Sequence, residues 1–336
     1  MDHVAIDLGG RESQVCVRGP DGQVLDERRM ATKALKQWLE GRAASRVIME
    51  TCSESFEIAD GAIAGGHDVR IVPSTLVRSL GVGARRTKND RRDAQALSEA
   101  SCRMELPSVH IPSPAARNRK ILCGTRQAIV SARTQLINCV RGWMRQGTRG
   151  VSRGYPQTFP RRVREKVEVI PAPIERLLVS IEALSTQLQA ADEELEQEAK
   201  SDPVCKRLMT VPGVGPVTAV RFVATVDRVD RFADAHALQS YLGLVPGEHS
   251  SGDRIKRLGI TKAGSTATRA VLIQAAWSVR RYRKDHAMAR WSEEIERRRG
   301  KHIAVVALAR KIAGILYAIW RRDGATYNPF QGARTA

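Results

Sequence analysis

The order of strands and helices predicted for the first 105 residues constrains the fold more than any other feature of this sequence. Residues 3–8 form a short apolar run, and residues 14–19 alternate between apolar and polar side chains. A third strand, at 23–29, follows a turn at 20–22 that contains proline and glycine. Three strands joined by tight turns predict an antiparallel meander at the start of the chain.

Helices and strands alternate after this meander. Thr32 is expected to cap a helix that buries Leu35, Trp38 and Leu39. The elements that follow are a strand at 46–50, a helix at 53–64, a strand at 68–72 and a helix at 90–100. The order β-β-β-α-β-α-β-α is the connectivity of a ribonuclease H-like α/β domain, although order alone also suits other α/β domains.

The charge balance indicates the kind of partner. The 336 residues include 55 Lys and Arg against 36 Asp and Glu, which gives a formal net charge of +19. Because 42% of the residues are hydrophobic, the chain is expected to fold and to bind a polyanion such as a nucleic acid. An acidic membrane is the other polyanionic surface. The longest apolar stretch, 303–320, carries Arg310 and Lys311 at its centre, so we expect no membrane span.

Cysteine and histidine usage favours a reduced, cytoplasmic protein. The six cysteines form no C-x-x-C pair and the seven histidines form no H-x-x-x-H pair, so we expect neither a zinc site nor a disulfide framework. The first four residues, MDHV, lack the basic and apolar segments of a signal peptide.

The middle of the chain is basic. Between 141 and 176 the sequence has nine Arg and Lys against three Glu, and glycines and prolines interrupt it. This imbalance favours contacts to phosphate groups over a merely solvated linker. The predicted nucleic-acid contacts in this segment are Arg141, Arg145, Arg149, Arg153, Arg161 and Arg162.

A heptad pattern follows the basic segment. Apolar residues from Ile170 to Leu195 recur at alternating spacings of four and three. This pattern indicates an amphipathic helix that either covers its own domain or forms a coiled coil with a second chain. The seam residues expected to meet a second chain are Ile174, Leu177, Ile181, Leu184 and Leu188.

These patterns divide the chain into three predicted parts. An α/β domain occupies 1–105, a basic helical linker with the coiled coil occupies 106–202, and a mostly helical domain occupies 203–336. The last part opens with Val-Pro-Gly-Val-Gly-Pro at 211–216, which resembles the phosphate-binding turn of helix-hairpin-helix elements but is weak evidence alone.

Four acids in the predicted α/β domain suggest a metal site. Asp7 interrupts the first apolar strand, and Glu50 ends the fourth, which neighbours the first in this topology. Asp90 and Asp93 are three residues apart and therefore share one face of the last helix. Four carboxylates meeting at one point would bind two Mg²⁺ ions for phosphoryl transfer, whereas each acid alone is more often a surface charge or a helix cap.

A serine in a basic loop suggests a nucleophile. Ser251 precedes Gly252, and a serine there would attack a phosphodiester if its hydroxyl were activated. Ser250 is the near alternative, and an ordinary serine turn is the commoner role. The cations placed to offset the charge on pentacovalent phosphorus are Arg254, Lys256, Arg257 and Lys262.

Together these motifs resemble a family of insertion-sequence transposases, the recombinases guided by a bridge RNA. Members join an N-terminal RuvC-like DEDD domain to a C-terminal serine-bearing domain. The segments that carry the resemblance are AID at 5–7, VIME at 47–50, KNDRRDA at 88–94, VPGVG at 211–215 and GLVPGEHSSGDRIKRLGITKAG at 243–264. Two departures leave the acids intact: Leu-Gly-Gly follows Asp7, and Thr-Cys-Ser follows Glu50.

The resemblance implies the chemistry and the partners. Asp7, Glu50, Asp90 and Asp93 would bind Mg²⁺, and Ser251 would form a transient link to a DNA 5′-phosphate. The acids of one subunit would act with the serine of another, so a dimer or tetramer is expected. The partners would be DNA, at the element ends and the target, and a structured non-coding RNA, in the bacterial cytoplasm at the nucleoid.

Three other functions remain open from the residues alone. A metal-dependent RuvC-like nuclease or junction resolvase would use the acids without a covalent intermediate. A non-catalytic nucleic-acid-binding protein would need neither the acids nor the serine. The first strand also resembles the phosphate loop of actin-like sugar kinases, but the second glycine-rich loop and the adenosine motif of those kinases are missing.

Overall fold

The chain separates into two units, residues 1–112 and residues 113–336, each with its own buried core. The computed structural model describes residues 1–79, 90–147, 150–251 and 254–328.

The first unit contains five strands and four helices in its described residues. They are β1 (His3–Asp7), β2 (Glu12–Arg18), β3 (Val24–Ala31), α1 (Leu35–Glu40), β4 (Arg46–Glu50), α2 (Ser55–Ala64), β5 (Asp68–Val72), α3 (Ser74–Ser79) and α4 (Asp90–Arg103).

The strands form one mixed sheet in the order β3-β2-β1-β4-β5. β1, β2 and β3 pair antiparallel, and β1, β4 and β5 pair parallel. The three middle residues of both β1 and β4 are fully buried because helices cover both faces. α1 and α2 cover one face and α4 covers the other. The ribonuclease H-like α/β fold predicted from element order is confirmed.

Thr32 does not cap a helix, contrary to the prediction. Its hydroxyl donates a hydrogen bond to the carbonyl oxygen of Gly9 at 2.6 Å and lies 2.8 Å from Ser13 Oγ. Thr32 is buried, and these two contacts occupy its hydroxyl. One turn of 3₁₀ helix follows, and α1 then begins at Leu35 without a side-chain cap. Leu35 and Leu39 are buried as predicted.

The described part of the second unit is largely helical, as predicted. Its elements are α5 (Pro114–Gln146), α6 (Phe159–Lys166), α7 (Ala172–Ser201), α8 (Pro203–Leu208), α9 (Pro216–Val226), α10 (Ala235–Tyr241), β6 (Pro246–Ser251), β7 (Arg254–Ile260), α11 (Thr266–Tyr282), α12 (Ala287–Arg299) and α13 (Lys301–Arg321).

The heptad seam of α7 is covered by the same chain. Ile181 is fully buried in a cluster with Ile137 and Val140 of α5, and Arg119 of α5 donates to Glu198 of α7 at 2.6 Å. The predicted pairing of this seam with a second chain is therefore wrong for its buried residues. Periodicity identifies the apolar face of a helix but not the helix that covers it.

α13 forms the centre of the larger core of the second unit. Among the described helices it alone is long and apolar enough to cross a membrane, and half of its most apolar window is buried inside the protein. The two charged residues at its centre have partners: Arg310 donates to Gln239 Oε1 at 2.8 Å, and the Lys311 ammonium lies 4.3 Å from the Trp291 ring centre. α13 thus has the burial of a core helix.

The segment containing Ser251 is a two-stranded hairpin and not a loop. β6 and β7 pair antiparallel, with an irregularity between Pro246 and Glu248. One β6 residue there faces two residues of β7, which is a β-bulge. The hairpin therefore bends near its base, the end that is far from Ser251.

Candidate functional site

Asp7 and Glu50 end two neighbouring parallel strands. Ile6 of β1 lies opposite Met49 of β4, so the next residue of each strand, Asp7 and Glu50, reaches the same edge of the sheet. Both are partly buried. Because side chains alternate along a strand, Asp7 shares the sheet face of Ala5. That face is covered by α4.

α4 runs antiparallel to β1, which directs its first turn toward these acids. Ser101, near the end of the helix, lies 2.7 Å from Nδ1 of His3 at the start of β1. Ser98 Oγ accepts a hydrogen bond from Arg18 Nε at 2.9 Å. The beginning of α4 therefore lies toward the end of β1 that carries Asp7.

Helix and strand spacing bring Asp93 level with Asp7. Leu97 of α4 packs in one buried cluster with Ala5 of β1. Four residues back along the helix cover about 6 Å, and two residues forward along the strand cover about 6.6 Å. Asp93 therefore lies over the same edge of the sheet as Asp7.

The donor set suits a hard divalent cation, because carboxylate oxygens are the ligands that such ions prefer. Asp90 is the first residue of α4, but its side chain lies outside the described residues. Among the described side chains, no three His, Cys, Asp or Glu residues lie close enough together to hold a metal ion. The fold thus gathers Asp7, Glu50 and Asp93 at one edge without joining them in a cluster.

Glu27, which the sequence patterns did not single out, anchors the first two turns of α4. Its carboxylate accepts hydrogen bonds from Gln95 and from both Nε and Nη2 of Arg91, the Nε bond being 2.9 Å long. The hydrogen bond from Gln95 and the charge of Arg91 lower the pKa of Glu27. The sequence showed an acid inside a predicted strand, but not that this acid meets the arginines of KNDRRDA.

Ser251 lies at the tip of the β6–β7 hairpin. It is the last residue of β6 and pairs with Arg254, the first residue of β7. The two residues between them and the side chains of 248–251 and 254–257 lie outside the described residues. Lys262 is not near this tip: it follows β7 at the base of the hairpin, with φ at +57°.

The basic residues of the middle segment have different roles. Arg141 and Arg145 are exposed on the last turns of α5, and Arg153 is exposed beyond it. Arg161 is exposed beside Glu165 at 3.4 Å. Arg162 instead donates to the carbonyl oxygens at 152 and 155, which holds the loop. Arg149 lies outside the described residues.

In the 211–216 turn, Gly213 serves packing. Gly213 has φ at +83°, and a Cβ there would collide with the carbonyl of Ala275 in α11. Val211 and Val214 are buried, and Gly215 precedes α9 without a side-chain cap.

Comparison with known proteins identifies both units. Residues 4–148 match a DEDD transposase model of the IS110 type, and residues 205–292 match the model of the transposase IS116/IS110/IS902 family. The chain is 29% identical to the transposase for insertion sequence element IS1111A of Coxiella burnetii, over 95% of this chain and 90% of that protein. It is 28% identical to a "Probable family 20 transposase" of Pseudomonas aeruginosa, over 98% of this chain and 99% of that protein.

Proposed function

The chain belongs to the IS110/IS116/IS902 family of insertion-sequence transposases, and from that premise we propose how its two units act on DNA. Ser251 attacks a phosphodiester of the DNA, while acids of the first unit hold the divalent metal ion that a DEDD transposase domain implies. The observation that carries the proposal is the position of Ser251 at the tip of a hairpin. A serine at a tip reaches a phosphate that a serine inside the helical core would not.

The proposed metal ligands are Asp7, Glu50, Asp90 and Asp93, and the proposed ion is Mg²⁺. The convergence of β1, β4 and the first turn of α4 on one edge of the sheet supports this assignment. When bound, the metal supplies electrostatic stabilisation of charge on the phosphate oxygens. Glu27 keeps α4 at its place over the sheet by holding Arg91 and Gln95.

The proposed serine chemistry conserves the number of phosphoester bonds. A bond forms between Ser251 Oγ and phosphorus while the bond from phosphorus to the 3′ oxygen breaks. The 3′ oxygen leaves with a proton, and the serine loses its own proton to solvent. Attack by another 3′-hydroxyl reverses the step, rejoins DNA and releases the serine.

Three cations of β7 belong to this proposal. Arg254 pairs with Ser251 across the hairpin, and Lys256 and Arg257 follow on the same strand. Positive charge beside the attacked phosphate stabilises the charge that develops on phosphorus oxygens. Lys262 is left out of this group because it lies at the other end of the hairpin.

We further propose that the acids of one subunit act with Ser251 of another. The resemblance to bridge-RNA-guided recombinases supports this arrangement. The buried residues of the α7 seam, Ile181 and Leu188, are left out of the proposed subunit contact, because the same chain already covers them. A structured RNA is the second proposed polyanion, supported by the net charge of +19 and by exposed Arg141, Arg145 and Arg153.

Trapping on a suicide DNA substrate tests the role of the serine. With a nicked substrate the released fragment diffuses away, so a covalent protein–DNA adduct accumulates and is seen on a denaturing gel. Ser251→Ala should lose the adduct, while Ser250→Ala, the matched control one residue away, should keep it. Mg²⁺-dependent cutting by the wild-type protein without any adduct would instead support a metal-only nuclease.

A further inference from the structure

The base of the β6–β7 hairpin is held by a buried arginine. Arg269, near the start of α11, is only 6% exposed. Its Nη1 donates hydrogen bonds to the carbonyl oxygens of Leu242 and Gly264, both at 3.2 Å, and to that of Ala263. Its Nη2 donates to Thr266 Oγ1 at 3.0 Å. One guanidinium thus joins four acceptors.

The three carbonyl acceptors flank the two arms of the hairpin, and the fourth acceptor, Thr266, lies in α11 itself. Leu242 precedes β6, whereas Ala263 and Gly264 follow β7. No described carboxylate forms an ion pair with Arg269, and three carbonyl dipoles and the Thr266 hydroxyl compensate the burial of its charge. The fixed fork of an arginine suits this use, because a lysine ammonium on a flexible stem does not hold several carbonyls in one plane.

Two glycines let the arms approach closely at the same place. Gly243 has φ at +68° and Gly264 has φ at +66°. A Cβ on Gly243 would collide with the backbone of Ala263, and one on Gly264 with the carbonyl of Tyr241. The amide of Lys262 donates to the carbonyl of Gly243 at 3.2 Å. The arms are therefore joined backbone to backbone, with Arg269 across the joint.

We propose that Arg269 is a positioning residue for DNA cleavage, and this rests on the proposed role of Ser251. From Pro246 to Ser251 the strand extends roughly 17 Å, at about 3.3 Å per residue. A tilt of about 5° at the base therefore moves the tip by roughly 1.5 Å, and misplacement of a reacting group by about 1 Å costs on the order of a hundredfold in rate. By joining both arms, Arg269 sets where the tip presents the serine.

The test uses the full-length protein with two substitutions of Arg269 and one control. Arg269→Met removes all four hydrogen bonds, and Arg269→Lys keeps the charge and most of the fold stabilisation while losing the fork. Arg207→Met is the matched control, because Arg207 also donates to two backbone carbonyls, those of Ile319 at 2.9 Å and Arg322 at 2.6 Å, away from the hairpin.

Two readouts separate positioning from general stability. Hydrogen exchange without DNA follows the amides of Thr261 and Lys262, which bond to Val245 and Gly243 across the joint. The rate of adduct formation at saturating DNA reports how well Ser251 is positioned for attack. The DNA dissociation constant is measured in parallel. Arg269→Lys should exchange faster at these amides and form the adduct at least about tenfold more slowly, with DNA affinity within about twofold. Arg269→Met should show the same changes more strongly, and Arg207→Met neither.

Two results would overturn the proposal while leaving the serine chemistry intact. One is unchanged exchange at Thr261 and Lys262 in both Arg269 variants. The other is faster exchange with a wild-type adduct rate, which would show that the contacts of Arg269 between the two arms do not affect Ser251. Absence of an adduct in the wild-type protein would refute the proposed serine chemistry and with it the positioning role, and the exchange data would still report whether Arg269 joins the arms.

Discussion

At the scale of single residues, Glu27 has an energetic role that depends on pH. Its pKa is lowered in the folded protein by Gln95 and Arg91, so the folded state favours the ionised carboxylate. A lowered folded pKa gives stability that is present above the unfolded pKa of about 4.3 and is lost as pH falls through the folded pKa. The anchor of α4 is thus an acid-sensitive contact.

Glu27→Gln should lower the free energy of unfolding by about 1–2 kcal/mol near pH 7, because a hydrogen bond to a charged group is lost. The difference from wild type should shrink as pH falls through the lowered pKa of Glu27, because its carboxylate is then protonated in the folded protein as well. Denaturant unfolding from pH 3 to pH 7 measures this. Glu12→Gln is the control, since Glu12 lies on the neighbouring strand in an exposed ion pair with Arg29 and should have little effect. A constant difference across this pH range would contradict the assignment.

Buried thiols make a second prediction. Burial raises the pKa of Cys205 to about 12, whereas Cys139 is exposed. Because the thiolate is the reactive form, Cys139 should react readily with a thiol reagent at pH 8 and Cys205 should react only after unfolding. Peptide mapping after brief alkylation of the native protein measures both. Equal labelling of the two cysteines would show that the α8 region opens easily.

At the same scale, some site residues were recognisable in the sequence and others were not. Asp7 interrupts an apolar strand and Glu50 ends one, so both acids stand out against their surroundings. Arg269 and Glu27 do not stand out, because their importance lies in partners that are distant along the chain. Sequence patterns also did not separate Arg162, which binds loop carbonyls, from the exposed arginines around it.

At the scale of elements, the α5–α7 pair determines the core of the helical segment. Ile181 is fully buried between the helices, and Val179, two residues away, is 54% exposed. Ile181→Ala should lower the free energy of unfolding by about 2–4 kcal/mol, and Val179→Ala should have almost no effect. Thermal melting and sedimentation measure stability and mass together. A loss of mass with unchanged stability would mean that the seam joins two chains.

Helices were easier to predict than the hairpin for a physical reason. The helical period of α7 is imposed by burial of one face of that helix. β6 and β7 are rich in glycine, serine and basic residues, and lack such an apolar pattern. Their pairing is set by contacts at the base of the hairpin, including Gly243, Gly264 and Arg269, which no local pattern reports.

At the scale of the whole molecule, the charge of +19 should make RNA binding steeply dependent on salt. Each neutralised phosphate releases condensed counterion, so affinity should fall linearly on a logarithmic plot against salt. Replacing Arg145 and Arg153 by Ala should reduce that slope by roughly one to two, while Arg207→Met should not change it. Filter binding over a salt series measures the slopes. Equal affinity for RNA from beside the gene and for unrelated RNA would leave only non-specific binding.

The proposed sharing of a site between subunits also makes a prediction at this scale. Asp7→Asn removes an acid from the first unit and Ser251→Ala removes the nucleophile from the second, so each variant alone should be inactive. Mixed after subunit exchange, they should recover part of the cleavage activity, because some sites combine the intact acid of one subunit with the intact serine of another. No recovery in exchanged mixtures would place both groups in the same subunit.

The central claim is that the acids and Ser251 act on one phosphodiester. The most direct measurement is the yield of covalent adduct for wild type and Asp7→Asn on the suicide substrate with Mg²⁺, with DNA binding measured in parallel. The account predicts an adduct at Ser251 in the wild-type protein, and loss of that adduct in Asp7→Asn with folding and DNA affinity retained. An adduct formed by Asp7→Asn at the wild-type rate would contradict it.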